Sequence, residues 1–344
     1  MQLTSEGIAE EINVSGQDIE SWEKGESQPN LKQLEALAEL FGREIDYFLR
    51  ETPSPPEKIE FRGRPGKTLG ALPIEARMVL ARFDEFCRTA IEFEDLLGEK
   101  LQSRLRKFKG SVPPKEVAQI LRKELNLGDK PLHNLREDLE STGVRIYELP
   151  IPEEAFSGFS FWHSQYGPCI LINAREPKGR RNFTLAHELA HLLYQDSPSL
   201  CYITFKAGDS SRSLEAKANQ FAIELLLPEV AAKQDFNQRK IPRTPSEREL
   251  AQMASKWVVS IQALGYRLEN LGLIETGLTD QIRESKPEYF RTPRIPKWKR
   301  QLGKRFVEIS IQAYNKNLIS VGKLAHAFQI PIRKAIKIVE SVNK

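Results

Sequence analysis

Two histidines four residues apart carry the clearest chemical signal in this sequence of 344 residues. Residues 187–191 read His-Glu-Leu-Ala-His. On a helix this spacing places His187 and His191 one turn apart on the same face, where both imidazoles can bind one metal ion. Glu188 follows the first histidine, so its carboxylate lies beside such a metal, in the position of a general base. The pattern predicts metal-assisted hydrolysis of a peptide bond.

A catalytic zinc takes three protein ligands and keeps one position open, so the sequence should supply a third ligand. The metzincin pattern is excluded because Tyr194 and Ser197 stand where that pattern needs glycine and histidine. Residues 213–228 predict an amphipathic helix, and Glu215 in its first turn can turn toward the histidines. Asn219, one turn later, is the candidate for orienting a ligand by a hydrogen bond.

The residue types leave alternatives open for two roles. Glu215 is also suited to the first turn of a helix through its interaction with the helix dipole alone. Other candidates for the third ligand, by residue type and nearness in sequence, are His163, Cys169 and Cys201. The candidates by type for stabilising the polarised carbonyl are His163, Tyr166 and Tyr202.

Two segments resemble the ImmA/IrrE-type zinc metallopeptidases. They read RRNFTLAHELAHLL over residues 180–193 and EAKANQFAIELLLP over residues 215–228. The resemblance covers residues 75–275 and implies a zincin-like fold in which Glu215 is the third zinc ligand. Zinc is the expected cofactor, with Mn²⁺ as the alternative metal. Family members cut a repressor of the Xre helix-turn-helix class, so such a repressor is the implied protein substrate.

The predicted fold class is multidomain and mainly α with a small sheet (α+β), around a zincin-like metallopeptidase core. Branched and aromatic residues predict short strands over residues 144–149, 157–161 and 170–172. The family resemblance implies that the edge of this sheet binds the substrate chain. Asn182 or Thr184 is expected to cap the start of the histidine helix.

Residues 3–48 resemble an Xre-type helix-turn-helix. Its core positions are Ile8, Ala9, Ile12, Val14, Ile19 and Trp22. The resemblance begins at the usual second helix, so the first helix is expected to be missing. Residues 1–51 contain 12 Asp or Glu and 4 Lys or Arg, a balance of −8. Because carboxylates oppose binding to phosphates, we expect these residues to regulate the chain or dock a protein rather than anchor it on DNA.

The remaining chain is basic, since the whole protein has a formal charge of +4. Lysine and arginine gather after residue 286, among aromatic residues and prolines. This run is interpreted either as a DNA contact or as a solvated linker. Three helices are predicted after it, and residues 324–331 resemble the turn of a small helix-turn-helix. If the protein binds DNA, we therefore expect residues 286–344, rather than residues 1–51, to make the contact.

Proline-rich loop sequences and the helical patterns between them divide the chain into five predicted segments. They are a helix-turn-helix over residues 1–51, a linker over 52–73, the metallopeptidase domain over 74–275, a basic linker over 276–302 and a helical segment over 303–344. A mean hydropathy of −0.46 and three cysteines without paired spacing predict a cytoplasmic protein with no membrane segment.

The sequence thus favours a cytoplasmic, zinc-dependent, site-specific regulatory endopeptidase that acts in a stress, mobile-element or toxin–antitoxin circuit. The predicted ligands are His187, His191 and Glu215, and Glu188 is the predicted base and acid. The alternative is a DNA-binding transcription regulator whose metallopeptidase-like domain senses a ligand or metal with little proteolysis. A third interpretation is a toxin or antitoxin partner that acts by binding.

Overall fold

The computed structural model describes residues 4–41, 45–49, 72–152, 155–194, 202–203, 212–285 and 301–342. These residues are mainly helical with one small sheet, which confirms the predicted fold class. Most of the predicted linker, residues 52–71, and most of the basic run, residues 286–300, lie outside them. None of the described helices is long and apolar enough to cross a membrane.

The N-terminal residues form four short helices. They are α1 (Ser5–Glu11), α2 (Gly16–Glu23), α3 (Leu31–Phe41) and α4 (Ile45–Phe48). Helix α2 begins with a capping box, in which Ser15 and Asp18 each satisfy the other's backbone N–H. Three of the six predicted core positions, Ile8, Ala9 and Ile19, lie in its buried cluster with Leu37 and Leu40, and the other three are partly buried and pack against this cluster.

Twelve further helices follow in the described residues. They are α5 (Ile74–Leu97), α6 (Pro114–Glu124), α7 (Leu135–Glu140), α8 (Lys178–Leu193), α9 (Arg212–Leu226), α10 (Glu229–Gln238), α11 (Glu247–Trp257), α12 (Ile261–Asn270), α13 (Leu278–Ser285), α14 (Lys304–Asn315), α15 (Val321–Phe328) and α16 (Ile332–Val342).

The sheet has four strands in the order β1-β3-β2-β4. They are β1 (Arg145–Leu149), β2 (Gly158–His163), β3 (Gly167–Asn173) and β4 (Tyr202–Ile203). Strand β3 runs parallel to β1 and antiparallel to β2, with His163 opposite Gly167 at the hairpin end. Gly167 has φ +72°, a conformation that glycine adopts without steric cost. The short β4 pairs antiparallel with β2 at Phe159 and Ser160.

Both faces of the sheet are covered by helices. Alternate strand residues point to opposite sides, so Ile146 and Ile170 join one core while Tyr147 and Leu171 join the other. The first core contains α8, α9 and the helices that pack on them. The second contains α5 and the C-terminal helices α14 to α16. The histidine helix α8 therefore lies on one face, and the C-terminal helices lie on the other.

Buried carboxylates join α14 to α7 and α5 to the sheet. The Glu140 carboxylate accepts the Lys304 backbone N–H at 3.2 Å, at the start of α14. Arg145 and Glu94 form a bidentate pair at 2.8 and 2.9 Å that joins β1 to α5. Glycine is required at position 303, where φ is +85° and an added Cβ would lie 2.3 Å from the Glu140 carboxylate.

Candidate metal centre

The helix that carries the two histidines begins earlier than the sequence predicted. Helix α8 starts at Lys178 after Pro177, so the expectation that Asn182 or Thr184 caps it is wrong. Instead, the Asn182 amide donates to the Val258 carbonyl at 3.1 Å, and the Thr184 hydroxyl donates to Glu176 at 3.2 Å. The proline was missed as the start because its side chain offers no oxygen to the orphan N–H groups.

Helix α9 places a carboxylate opposite the histidines. Its inward face packs on α8, and its position is fixed by the buried pair of Glu224 with Arg267, at 2.8 and 2.7 Å. Arg122 also donates to the Leu225 carbonyl near the end of α9. Glu215, in the first turn, thereby comes to lie over the two imidazoles.

Three donor atoms converge between α8 and α9. His187 Nε2 lies 3.1 Å from His191 Nε2, and the two nitrogens lie 3.2 and 3.4 Å from the oxygens of Glu215. Both histidines are buried, whereas Glu215 is partly exposed. The structure thus brings together the three residues that were predicted as metal ligands, and their donor atoms all lie within 4.8 Å of one another.

The spacing of these donors fits a zinc ion. Zinc binds histidine nitrogen and carboxylate oxygen at about 2.0 to 2.2 Å in a tetrahedron, which separates its ligand atoms by about 3.3 to 3.6 Å. The observed separations of 3.1 to 3.4 Å are close to that range. Two imidazoles and one carboxylate are also the ligand set of catalytic zinc, with a fourth position left for water or substrate.

Asn219 is within hydrogen-bond distance of one of the histidines. Its side-chain oxygen lies 2.9 Å from His187 Nδ1, one helical turn beyond Glu215. If Nδ1–H donates to that oxygen, the lone pair of neutral His187 is on Nε2, which faces the other two donors. Burial lowers the pKa of His187, but the hydrogen bond that its ring donates to Glu215 and the charge of Glu188 outweigh this effect, so the pKa is raised. A cation bound between the two Nε2 atoms and the Glu215 oxygens would offset the repulsion between these closely spaced electron-rich atoms.

Glu188 lies on the side of α8 that faces the sheet. Its side chain is fully buried, and its Oε2 accepts a hydrogen bond of 2.7 Å from the Ser160 hydroxyl of β2. A Cβ at Gly158 would lie 2.9 Å from Glu188 Oε1, so glycine is needed there for the carboxylate to fit. Neither Ser160 nor Gly158 was predicted from the sequence as part of the site.

The other candidates of suitable residue type lie elsewhere. The His163 ring stacks on Tyr166 at 3.7 Å and belongs to the face of the sheet that α5 covers. Neither residue therefore reaches the metal cluster, which corrects their assignment as candidate ligand or carbonyl-stabilising group. Cys169 is buried against Cys87, with 3.7 Å between the sulfurs. Cys201 and the side chain of Tyr202 lie outside the described residues.

Comparison with known families agrees with this geometry. Residues 139–269, which carry both histidines and Glu215, match the family model of the IrrE N-terminal-like domain, Peptidase_M78. This segment is thus similar to the IrrE-type domain. Residues 1–48 match the helix-turn-helix model HTH_3. No curated protein matches the chain.

The two matches confirm the resemblance stated from the sequence, a metallopeptidase of the ImmA/IrrE type joined to an Xre-type helix-turn-helix. The chain therefore combines a metallopeptidase-type domain with a domain typical of transcription regulators. The family that this IrrE-like segment matches is metal-dependent, and the segment's His187, His191 and Glu215 form a cluster able to hold an ion.

Proposed function

We propose that this protein is a zinc-dependent, site-specific regulatory endopeptidase. His187, His191 and Glu215 would hold the metal, with Mn²⁺ as the alternative ion, and Glu188 would be the general base and acid. The proposal is carried by one observation, the convergence of three ligand atoms beside a fully buried carboxylate that is not one of them. A structural metal site would have no need of that carboxylate.

Each residue has a defined task in the proposed reaction. Zinc bound to the three donors would polarise the scissile carbonyl and make the attacking water more acidic. Ser160 holds the Glu188 carboxylate in place through Oε2, and this carboxylate would take the proton of the water. Glu188 would then pass that proton to the leaving amine, which restores its carboxylate. Asn219 would keep the His187 ring in its ligating orientation throughout.

The substrate would be a protein segment in an extended conformation. Strand β4 covers the outer edge of β2 at Phe159 and Ser160, beside the Glu188 contact. Among the described residues, no strand pairs with that edge over residues 161–163. An extended substrate would bind there by backbone hydrogen bonds. We propose that it belongs to an Xre-type repressor in a stress, mobile-element or toxin–antitoxin circuit, which would place the reaction in the cytoplasm.

The acidic N-terminal segment would dock a protein or regulate the peptidase. Exposed carboxylates line α2, the helix expected to read DNA in an Xre-type domain, at Asp18, Glu20 and Glu23. Hydrogen bonds from Ser15 lower the pKa of Asp18, so its charge persists at neutral pH. This charge opposes a phosphate backbone and favours a basic protein surface.

The decisive experiment is cleavage of the Xre-type repressor encoded nearest to this protein, in the presence of Zn²⁺ or Mn²⁺. Glu188→Gln is the matched control, since it keeps the side-chain shape and the three ligands while removing the base. We expect cleavage by the wild type only, with equal metal content in both proteins. Full metal occupancy without cleavage of that repressor would contradict the proposed activity and substrate.

The alternative function is a DNA-binding regulator whose IrrE-like domain senses a metal or ligand with little proteolysis. The match of residues 1–48 to a helix-turn-helix favours it. In that case DNA affinity should change with metal occupancy, and Glu188→Gln should behave like the wild type in DNA binding and in cells. A regulator that works by proteolysis should instead lose its cellular effect in this variant.

A further inference from the structure

The last two helices have the geometry of a helix-turn-helix. Helix α15 ends at Phe328, three residues form the turn, and α16 begins at Ile332. Gln329 adopts φ +50° in this turn, and its N–H bonds back to the carbonyls of α15. Pro331 then supplies the carbonyl that starts α16. A turn of three to four residues between two packed helices is the arrangement of DNA-binding helix-turn-helix units.

One face of α16 is exposed and carries groups suited to DNA. Ile332 is 50% exposed and Ile336 is 40% exposed, and between and beside them lie the exposed Arg333 and Lys337. No acidic residue precedes Glu340 in this helix. Arginine and lysine recognise phosphates and guanine acceptors, whereas apolar side chains contact the thymine methyl group. The exposed face of α16 therefore carries side chains that can contact both the base edges in a DNA major groove and the phosphates that border it.

The opposite face of α16 is buried, which holds the helix in place. Ile338 and Val339 join the core that contains α5 and the sheet, and Ala335 is fully buried. The turn is also held from outside, because the Arg82 side chain in α5 donates to the Gln329 side chain at 2.6 Å. The exposed face is thus presented by a fixed helix, as a DNA-reading helix requires.

We propose that α15 and α16 form a second helix-turn-helix and that α16 binds the major groove of duplex DNA. The N-terminal α2 carries three exposed carboxylates, whereas the exposed face of α16 is basic from its first turn to Lys337. Since phosphate contacts supply most of the non-specific affinity for DNA, α16 is the better DNA-binding helix of the two.

The first test measures binding of full-length protein to a labelled duplex of about 24 base pairs at about 50 to 200 mM KCl. Arg333→Gln with Lys337→Gln should weaken binding about tenfold or more and flatten the slope of log K against log salt by about two. Gln17→Glu with Lys24→Gln changes the charge of α2 by the same amount and should leave binding unchanged.

The second test addresses the two isoleucines. We would select bound sequences from a randomised duplex pool and then replace their thymines by uracil, which removes only the methyl group. Wild-type affinity should fall about fourfold for each contacted methyl group. Ile332→Ala with Ile336→Ala should bind both DNAs equally while keeping the salt dependence of the wild type.

Two results would overturn the proposal. One is DNA binding that is lost in the α2 variant and kept in the α16 variant. The other is wild-type protein that binds no duplex even at the lowest salt concentration, which would make this face a protein-docking surface. All six substituted side chains lie at the surface, so matching thermal unfolding curves will show that the variants remain folded.

Discussion

The hydrogen bond between Asn219 and His187 allows a test of the metal centre that needs no substrate. Partners that hold a metal-ligating histidine contribute about ten- to a hundredfold to metal affinity. Asn219 is exposed, so water can replace the lost acceptor, although it cannot fix the ring as well. We therefore expect Asn219→Ala to weaken zinc binding about tenfold, which corresponds to about 1.4 kcal/mol.

Competition with a coloured chelator for Zn²⁺, at constant pH, measures this change directly. Asn219→Asp keeps an oxygen that accepts from His187 Nδ1 and adds a negative charge, so it should bind zinc at least as tightly as the wild type. Gln220→Ala, at the adjacent exposed position, is the matched control and should have no effect. The reasoning is refuted if Asn219→Ala binds zinc as tightly as the wild type, or if Gln220→Ala loses as much.

Three further substitutions test the site and its support. In a metal analysis, Glu215→Ala should lose most of its bound zinc, whereas Glu188→Gln should keep it. Full zinc occupancy in Glu215→Ala would mean that another residue is the third ligand. Ser160→Ala removes a hydrogen bond to a buried carboxylate and should lower kcat for the cleaved repressor about ten- to a hundredfold, with metal content unchanged; Ser157→Ala should not. Arg145→Met removes a buried bidentate partner and should lower the free energy of unfolding by about 3 to 5 kcal/mol in denaturant titrations; a loss below about 1 kcal/mol would mean that solvent reaches the pair.

The part of the site that lies on single helices was predictable from the sequence. His187 and His191 share a face because of helical spacing alone, and the same spacing relates Glu215 to Asn219. The apolar stripe of α9 determines which of its residues face inward. Joining the two helices was not a local inference, because it depends on how α9 packs on α8. The family resemblance supplied that step.

Contacts between the sheet and α8 could not be predicted from spacing in the sequence. Ser160 meets Glu188 only because of the register of β2 along α8, and no periodicity in the sequence encodes that register. Strand parity could still have excluded one wrong candidate. His163 is three positions after Ser160 in the same strand, and because this offset is odd their side chains point to opposite faces. Once Ser160 faces the metal helix, His163 cannot.

The proposed metal and DNA sites lie on opposite faces of the sheet, and buried charges connect those faces. Glu148 of β1 lies 3.1 Å from Arg136 of α7 and 3.2 Å from Arg181 in the first turn of α8. Arg136 also donates to the Gln301 carbonyl just before α14. Glu148, Arg136 and Arg181 are buried charges that need their partners, so these groups resist separate movement. Any influence of DNA on the peptidase site would therefore have to move α8 and the C-terminal helices as one unit, or act through the N-terminal segment.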